Sequence, residues 1–354
     1  MNTGTILPSV PAEDLDHVLS HTMDLWEEAR GARFFITGGT GFFGIWLLAT
    51  FAHANDKLGL EMSAVVLTRN PEAFAKKAPQ LAGRKDLKFL CGDVRSFDLP
   101  GGHFSYVIHA ATEASAKLNR DHPQEMFDSI VSGTSHVLSF ARDAGVRKFL
   151  FTSSGAVYGS QPSDLTHVPE THLGALDPFQ SVSAYGIGKL AAEHLCSVEG
   201  QASGFEVKVA RCFAFVGPHL PLDTHFAVGN FLGAVIRGET PTLTGDGTPR
   251  RSFLYASDMA IALWTILFKG MPNRAYNVGS KHDLSINELA RAVCCALGRE
   301  DLSPKQIPQA QSNQRVSRYV PDVSRAEQEL NLCGHVPLGE ALRKTAAFLG
   351  FDKI

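Results

Sequence analysis

Short apolar runs alternate along the chain with longer stretches of helical periodicity. Arg33–Thr37, Ser63–Leu67, Leu87–Cys91, Tyr106–Ala111, Arg147–Thr152 and Val207–Phe213 are rich in strand-forming residues. They lack a polar face, as expected of strands covered on both sides. Between them, Phe43–Ala54, Pro123–Ala144 and the stretch from Tyr185 to Cys196 or beyond read as helices; Met126, Ile130, Val137, Leu138 and Ala141 mark the inward side of the second. Strands alternating with helices predict an α/β fold built on a doubly wound parallel sheet. Ahead of the first strand, Leu15, Val18, Leu19, Met23 and Trp26 recur at helical spacing within Pro11–Arg30, which predicts an amphipathic helix packed on the body. Beyond residue 217 come a helix opened by Asn230-Phe231, a strand over Ala275–Gly279, the segment Arg315–Asp322 and helices at 285–298, 323–331 and 338–349. These divide the chain into an extension (1–31), a sheet domain (32–217 with 252–280) and a smaller C-terminal α/β lobe (218–251 with 281–354).

The first strand runs into Gly38, Gly39, Gly41 and Gly44, so the backbone turns tightly there and approaches something closely. The amides that open the following helix can then face a pyrophosphate at its positive end. The spacing is Gly38-x-x-Gly41-x-x-Gly44, distinct from the Gly-x-Gly-x-x-Gly of ordinary dinucleotide-binding dehydrogenases. Ligands in parallel sheets gather at the carboxyl ends of the strands. Ala110 and Ala111, closing the fourth strand, leave room there for a flat ring. At the end of the second strand, Thr68-Arg69-Asn70 has no acid for a ribose 2′-hydroxyl; Arg69 can face a 2′-phosphate instead, so the cofactor is NAD or NADP with Arg69 favouring NADP. Asp93 either accepts a hydrogen bond from an adenine amino group or caps a turn.

Composition narrows the partners. With 354 residues, 44% hydrophobic and 19% charged, the chain has material for a large core and two lobes. A net charge of -3 gives no basic footprint for nucleic acid or anionic lipid. No apolar stretch approaches the ~20 residues of a membrane helix, and no signal peptide is evident. The six scattered cysteines lack metal-like spacing and suit small core residues in a reducing cytoplasm, so no metal site is expected, and the lack of a long apolar stretch argues against a membrane partner.

Tyr185 and Lys189 lie one helical turn apart, on one face. A phenol with a pKa of about 10 is a poor acid-base at neutral pH, and a neighbouring ammonium stabilises its phenolate. Lys189 can also hold a ribose hydroxyl, and a serine hydroxyl near the tyrosine can orient a substrate oxygen.

Thr37–Gly44, Asp93, His109–Ala111, Ser153–Gly159 and Tyr185–Lys189 together resemble the extended short-chain dehydrogenase/reductase family, and within it the nucleotide-sugar epimerase/dehydratase branch, from about residue 33 to 335. The resemblance implies a Rossmann-like sheet domain and a C-terminal substrate-binding lobe. The cofactor would lie against Gly38, Thr40, Gly41, Phe42 and Phe43 in the turn. Arg69, Asp93, Val94, Ala110, Ala111 and Thr152 at the strand ends, with Tyr185 and Lys189, would complete that site. It implies hydride chemistry at a sugar carbon, usually C4, with Tyr185 moving the hydroxyl proton. The hydroxyl four residues before the tyrosine of the Tyr-Gly pair is the catalytic one, which selects Ser154 over Ser153 and leaves Tyr158 structural.

The substrate implied is a nucleotide-diphosphate sugar, contacted by Glu113, Ser154, Asn230 and Arg251. Arg251 matches the arginine of the family's Gly-Asp-Gly-x-x-x-Arg-x-Phe segment and suits its pyrophosphate. A homodimer through helices 123–144 and 183–200 is also implied. The chain departs from the family at Ala214, usually a sugar-diphosphate-binding asparagine, and at Ile130, often an asparagine that supports the lysine through water. Dehydratases carry Asp-Glu after the catalytic hydroxyl and decarboxylases a glutamate at the second of those positions; Gly155-Ala156 disfavours both. Small residues there suit a 4-epimerase, or alternatively an NADPH-dependent 4-ketoreductase. Outside these enzymes stands a non-catalytic dinucleotide sensor, against which Ser154, Tyr185 and Lys189 argue.

Overall fold

The computed structural model describes residues 9–112, 115–222, 226–307 and 317–351. From the amino end, α1 (Ala12–Thr22) runs into a 3-10 stretch (Met23–Ala29). Then come β1 (Arg33–Thr37), α2 (Phe42–Leu58), β2 (Ser63–Thr68), α3 (Pro71–Lys77), α4 (Pro79–Ala82), β3 (Leu87–Cys91), β4 (Tyr106–His109), α5 (Ala116–Asp121), α6 (Pro123–Asp143), β5 (Lys148–Ser154), α7 (Ala184–Ser203) and β6 (Glu206–Cys212). These are followed by β7 (Phe215–Val216), α8 (Ala227–Ile236), β8 (Thr242–Thr244), β9 (Arg250–Ser252), β10 (Leu254–Tyr255), α9 (Ala256–Lys269) and β11 (Arg274–Val278). Last are β12 (Asp283–Ser285), α10 (Ile286–Ala296), β13 (Lys305–Ile307), β14 (Arg318–Tyr319), α11 (Ser324–Leu330) and α12 (Leu338–Phe348).

The chain forms two compact units. Of the described residues, the first takes those within Met1–Val157, Leu176–Arg211 and Ala260–Tyr276; the second takes those within Tyr158–Ala175, Cys212–Met259 and Asn277–Ile354. The first unit is built on the seven-stranded sheet β11-β6-β5-β4-β1-β2-β3. β1 pairs in parallel with β2 on one side and β4 on the other, with Thr37 opposite Leu67 and His109. Strand order therefore reverses between β1 and β4, which opens a crevice at their carboxyl ends.

Alternation along β1 sends successive phenylalanines to opposite faces. Phe35 joins the cluster beneath α6 and α7, with Phe97, Phe104, Phe140, Ile130, Ala192 and Cys196. Phe34 stacks on Tyr106, with ring centroids 4.6 Å apart, and meets Phe51 of α2 and Trp264 of α9 edge-on. β1, β2 and β4 are buried along nearly their whole length and need no polar side, whereas β3, at the sheet edge, leaves Lys88 exposed.

The amino-terminal extension completes the Phe34 face. Trp26 is fully buried against Trp264 and Phe268, at 4.7 and 5.7 Å between ring centroids. Its indole nitrogen donates to the Thr22 hydroxyl. Glu28 accepts from Tyr106 Oη (2.9 Å) and Lys148 Nζ (2.7 Å). The extension is helical, as its periodicity predicts, but not one helix. The backbone leaves α-geometry at Thr22 (φ -125°, ψ 8°), and the 3-10 turn that follows brings Leu25, Trp26 and Ala29 inward.

In the second unit β9 pairs antiparallel with β12 and parallel with β14. A capping box between Ser285 and Glu288 starts α10. Tyr158 is buried and donates to Asn277 Oδ1 at 2.8 Å, while the Asn277 amide nitrogen donates to the carbonyls of Val168 and Asp322. Asp258 is also structural, accepting from the amides of His335 and Val336. Most boundaries shift by one to four residues from the sequence reading, and two of the shifts bear on the site. β4 stops at His109, because Ala110 and Ala111 turn their amides back to Thr37, and α8 begins at Ala227, ahead of Asn230. The first two residues of Arg315–Asp322 lie outside the described residues. No described helix is long and apolar enough to cross a membrane.

Because Trp26 fills the space between α9 and the sheet, Trp26→Ala should lower stability by about 3–5 kcal/mol in urea unfolding. A loss under about 1 kcal/mol would show that the extension is dispensable to the first unit.

Candidate functional site

The glycine turn occupies the crevice between β1 and β4. Gly38 has φ +72°, and a Cβ there would stand 2.3 Å from the Ala110 carbonyl oxygen. A Cβ on Gly44 would stand 2.2 Å from the carbonyl carbon of Gly39. Internal packing thus accounts for both. Gly41 is different: it is exposed, has φ -86°, and a Cβ would meet only Gly38 O at 3.6 Å. It is the N-cap of α2, and no side chain caps that helix. The first-turn amides of a 17-residue helix therefore open onto a cradle that a side chain would fill. That arrangement fits a dinucleotide pyrophosphate. Thr40, Phe42 and Phe43 flank it half-buried.

Past β2, Arg69 is exposed and Asn70 caps α3 through Ala73 N. Asp93, past β3, is held by Arg95 in a fork of 2.8 and 2.9 Å and also accepts the Arg95 amide. That pairing, aided by the charge of Arg69, keeps its carboxyl below the usual range. Asp93 therefore caps its turn, with part of its acceptor capacity already used. Val94 packs where Gly133 of α6 leaves room, at 2.8 Å from the Cβ that glycine lacks.

Thr37 Oγ1 accepts the amides of Ala110 (3.2 Å) and Ala111 (3.1 Å) and lies 2.7 Å from His109 Nδ1. His109 Nε2 lies 3.0 Å from Thr134 Oγ1 of α6. Burial, and secondarily the Lys189 ammonium, push the His109 pKa from 6.5 down to about 3. Lys189 is 2% exposed; its Nζ donates to the Thr152 carbonyl (2.7 Å) and the Thr112 hydroxyl (3.0 Å) and lies 4.7 Å from the centroid of the Phe151 ring. Tyr185, one turn earlier on α7, is half-buried against the core cluster, and its amide donates to Asn119 Oδ1.

The two serines that end β5 are separated by their partners. Ser153 Oγ donates to Glu193 at 2.5 Å, and Glu193 is ion-paired with Arg211 at 2.7 Å. That buried link fixes α7 to β5 and β6. Ser154, 7% exposed, accepts the Ala156 amide at 3.2 Å. Ile130 is core and packs beside Gly188 of α7. Lys189 is instead held directly by the Thr152 carbonyl and the Thr112 hydroxyl.

The remaining predicted residues belong to the second unit. Asn230 is exposed on α8. Arg251 on β9 donates to the carbonyls of Arg250 (2.8 Å) and Ser317 (3.4 Å), and Tyr319 lies with its ring centroid 6.0 Å from the guanidinium carbon. Burial pushes its pKa down, and among the described residues no carboxylate faces it. Arg250 instead pairs with Asp283 and, at 3.5 Å, with Glu288. Glu113 lies outside the described residues. No group of His, Cys, Asp and Glu among the described residues is arranged to hold a metal ion. The sequence reading passed over Thr112, Thr134, Glu193 and the imidazole of His109; only the small-residue run after His109 pointed toward them.

Two outcomes are expected. Gly41→Ala should cost about 1 kcal/mol or less in stability but weaken NAD(P) binding at least about tenfold by calorimetry, whereas Gly44→Ala should destabilise the fold itself. Second, the unfolded chain takes up a proton at His109 below about pH 6.5, and the folded one does not until about pH 3. Stability from this group is therefore present above pH 6.5 and is lost as pH falls. Between pH 7 and 5 the wild type should lose about 2 kcal/mol more than His109→Asn in urea unfolding. Equal losses would show that the ring is not held neutral.

Comparison with known proteins places this geometry. Residues 34–279 match the family model described as the NAD dependent epimerase/dehydratase family. The chain is 31% identical over 320 residues to UDP-glucuronic acid decarboxylase 6 of Arabidopsis thaliana, covering 88% of this chain and 86% of that one. Its fold superposes on a UDP-glucose 4-epimerase from Thermus thermophilus in complex with NAD (TM-score 0.72, 26% identity, 90% and 99% of the two chains). It also superposes on a dTDP-glucose 4,6-dehydratase from Streptomyces venezuelae with NAD bound (TM-score 0.75, 23% identity, 90% and 97%). The protein is a member of the NAD dependent epimerase/dehydratase family, an extended short-chain dehydrogenase/reductase enzyme with a Rossmann-like fold.

Proposed function

We propose that the protein oxidises C4 of a nucleotide-diphosphate sugar reversibly, with Tyr185 as the proton acceptor, Lys189 as its electrostatic partner and Ser154 as the hydroxyl that orients the sugar oxygen. The observation that carries this is the buried Lys189 ammonium, fixed on Thr152 and Thr112 one helical turn from Tyr185. A fixed cation stabilises the phenolate more than a solvated one does, because its field is less screened. The nicotinamide supplies the hydride acceptor. Tyr185 takes the C4 hydroxyl proton as the C4–H pair leaves, and returns it when the ketone is reduced. Ser154, whose oxygen accepts the Ala156 amide, can donate its hydrogen to the C4 oxygen.

The fate of the ketone depends on the neighbouring acids and bases. No carboxylate follows Ser154, since residues 155 and 156 are glycine and alanine, and Glu193 is engaged by Ser153 and Arg211. Water elimination therefore lacks its acid-base pair, and return of hydride to C4 is favoured, which is the epimerase outcome. The alternative is one-way reduction of a 4-keto sugar by NADPH; the exposed Arg69 and the missing acid after β2 support NADP for either outcome. Similarity to UDP-glucuronic acid decarboxylases supports a second reading, loss of a C5 carboxylate after C4 oxidation. A 4-ketone makes that carboxylate a β-keto acid, so decarboxylation asks little further of the protein. In the second unit, Arg251 would take the substrate pyrophosphate, with Asn230 as a polar contact. A homodimer through α6 and α7 belongs to the same proposal, supported by the exposed Leu190 and Val198 on α7.

The test is to incubate the protein with UDP-, dTDP-, GDP- and CDP-sugars, UDP-glucuronic acid among them, with NAD(H) and NADP(H) separately, and to identify products by NMR. A C4 epimer with no net cofactor consumption supports the first outcome, and release of CO2 the second. Tyr185→Phe should lower turnover by about 10²–10⁴ with dinucleotide affinity unchanged. Turnover that survives the substitution would remove Tyr185 from the proton path.

A further inference from the structure

His109 sits beneath the proposed site, contacts both sides of the β1/β4 crevice and has no role in the proposed proton and hydride transfers. We infer that His109 is a positioning residue: an imidazole protonated on Nε2, it ties Thr37 at the glycine turn to Thr134 on α6 and so fixes Ala110–Thr112, the segment on which Lys189 rests. The inference builds on the reading of Lys189 as the partner of Tyr185.

Counting protons fixes the tautomer. Thr37 Oγ1 accepts two backbone amides, those of Ala110 at 3.2 Å and Ala111 at 3.1 Å, and an amide nitrogen can only donate. The Ala110 amide is shared with the Thr37 carbonyl, also at 3.2 Å, and with both amides directed at its lone pairs the hydroxyl turns its single hydrogen toward His109 Nδ1, 2.7 Å away. That arrangement assigns the bare nitrogen to Nδ1. The ring hydrogen is on Nε2, directed at Thr134 Oγ1 at 3.0 Å. A doubly protonated ring would set a third N–H against a hydroxyl that already faces two backbone amides.

The same residue is tied to Lys189 by two other routes. The His109 carbonyl accepts the Thr152 hydroxyl at 3.2 Å, and the Thr152 carbonyl accepts Lys189 Nζ. The imidazole stacks on Phe151, with centroids 5.6 Å apart, and the Lys189 ammonium lies over the same ring. The charged group acting on the imidazole is Lys189 on α7; Thr37 on β1, Thr134 on α6 and Phe151 on β5 contribute no charge. An uncharged ring that offers one acceptor and one donor suits this place. An apolar ring of similar shape would leave the Thr37 hydrogen without an acceptor and free Ala110–Thr112 to shift, moving Thr112 away from Lys189.

The test uses the full chain and two variants. In wild-type protein, ¹⁵N–¹H correlation should show the His109 ring, assigned by its absence in His109→Asn, as the Nε2–H tautomer that does not titrate between about pH 5 and 8. His109→Phe should bind NAD+ or NADP+, whichever the wild type holds more tightly, at least about tenfold more weakly, with faster hydrogen exchange at the Ala110 and Ala111 amides. His109→Asn, whose Oδ1 can accept the Thr37 hydrogen, should recover affinity to within about threefold. An Nδ1–H tautomer, a ring that titrates in that range, or His109→Phe with wild-type affinity and exchange overturns the inference. Should His109→Phe fail to fold, the wild-type tautomer decides. A wild type that binds neither dinucleotide would defeat the reading of the glycine turn and leave the tautomer result standing.

Discussion

The close approach of two chain reversals in one crevice governs the first unit. β1 and β4 are neighbours, and the backbones leaving them come so near that a Cβ on Gly38 would lie 2.3 Å from the Ala110 carbonyl oxygen. Glycine is required there twice over, by the contact and by the left-handed φ. The Thr37 hydroxyl binds the two reversals together through the amides of Ala110 and Ala111. With the glycine turn held in place, α2 starts with its amides facing outward and its axis fixed by Gly44 against Gly39. Both the anion cradle and the strand-end segment beside it depend on that one contact.

Charged groups in this unit divide by whether their partners are satisfied within the chain. Glu193 and Arg211 pair in a nearly closed environment, where desolvation takes back much of the Coulombic gain, so the pair contributes position more than stability. What it positions is α7, which carries Tyr185 and Lys189. Lys189 is treated differently, donating to a carbonyl and a hydroxyl, neither of them charged. A carboxylate in their place would neutralise the field on which the proposed Tyr185 phenolate depends. Keeping His109 uncharged spares the Lys189 ammonium the repulsion of a second buried cation.

Much of this was legible from residue order, for reasons that differ between elements. β1 and its turn could be read because strand length, β-branching and glycine spacing are all local. Ser154 could be separated from Ser153 only through family resemblance; the physical reason, that Ser153 is occupied by Glu193 from a helix 40 residues later, is a tertiary fact. The inward turn of Ala110 and Ala111 was invisible, since nothing in two alanines signals that their amides answer to a threonine 73 and 74 residues earlier. In the extension, periodicity located the buried face but not the change from α to 3-10 geometry at Thr22, because both helices bring residues three apart to one side. Glycines 38 and 44 looked like parts of one ligand loop with Gly41. Only the spacing between backbones separates the two that serve packing from the one that leaves space.

The adjacent arginines of β9 show how a strand assigns two like charges to two tasks. Side chains at successive positions face opposite ways, so Arg250 reaches Asp283 and Glu288 while Arg251 cannot. Arg250 is then a structural cation that ties β9 to β12 and the start of α10. Arg251 sits among carbonyl oxygens and the face of Tyr319, enough to orient a guanidinium but not to balance its charge. Its pKa is pushed down by burial, which means the folded chain holds this charge at a cost. A guanidinium cannot readily lose its proton to relieve that cost, and its planar fork matches two phosphate oxygens. The cost is best offset by an anion that is not part of the chain, which is why the pyrophosphate of the proposed substrate is assigned to Arg251 and not to its neighbour.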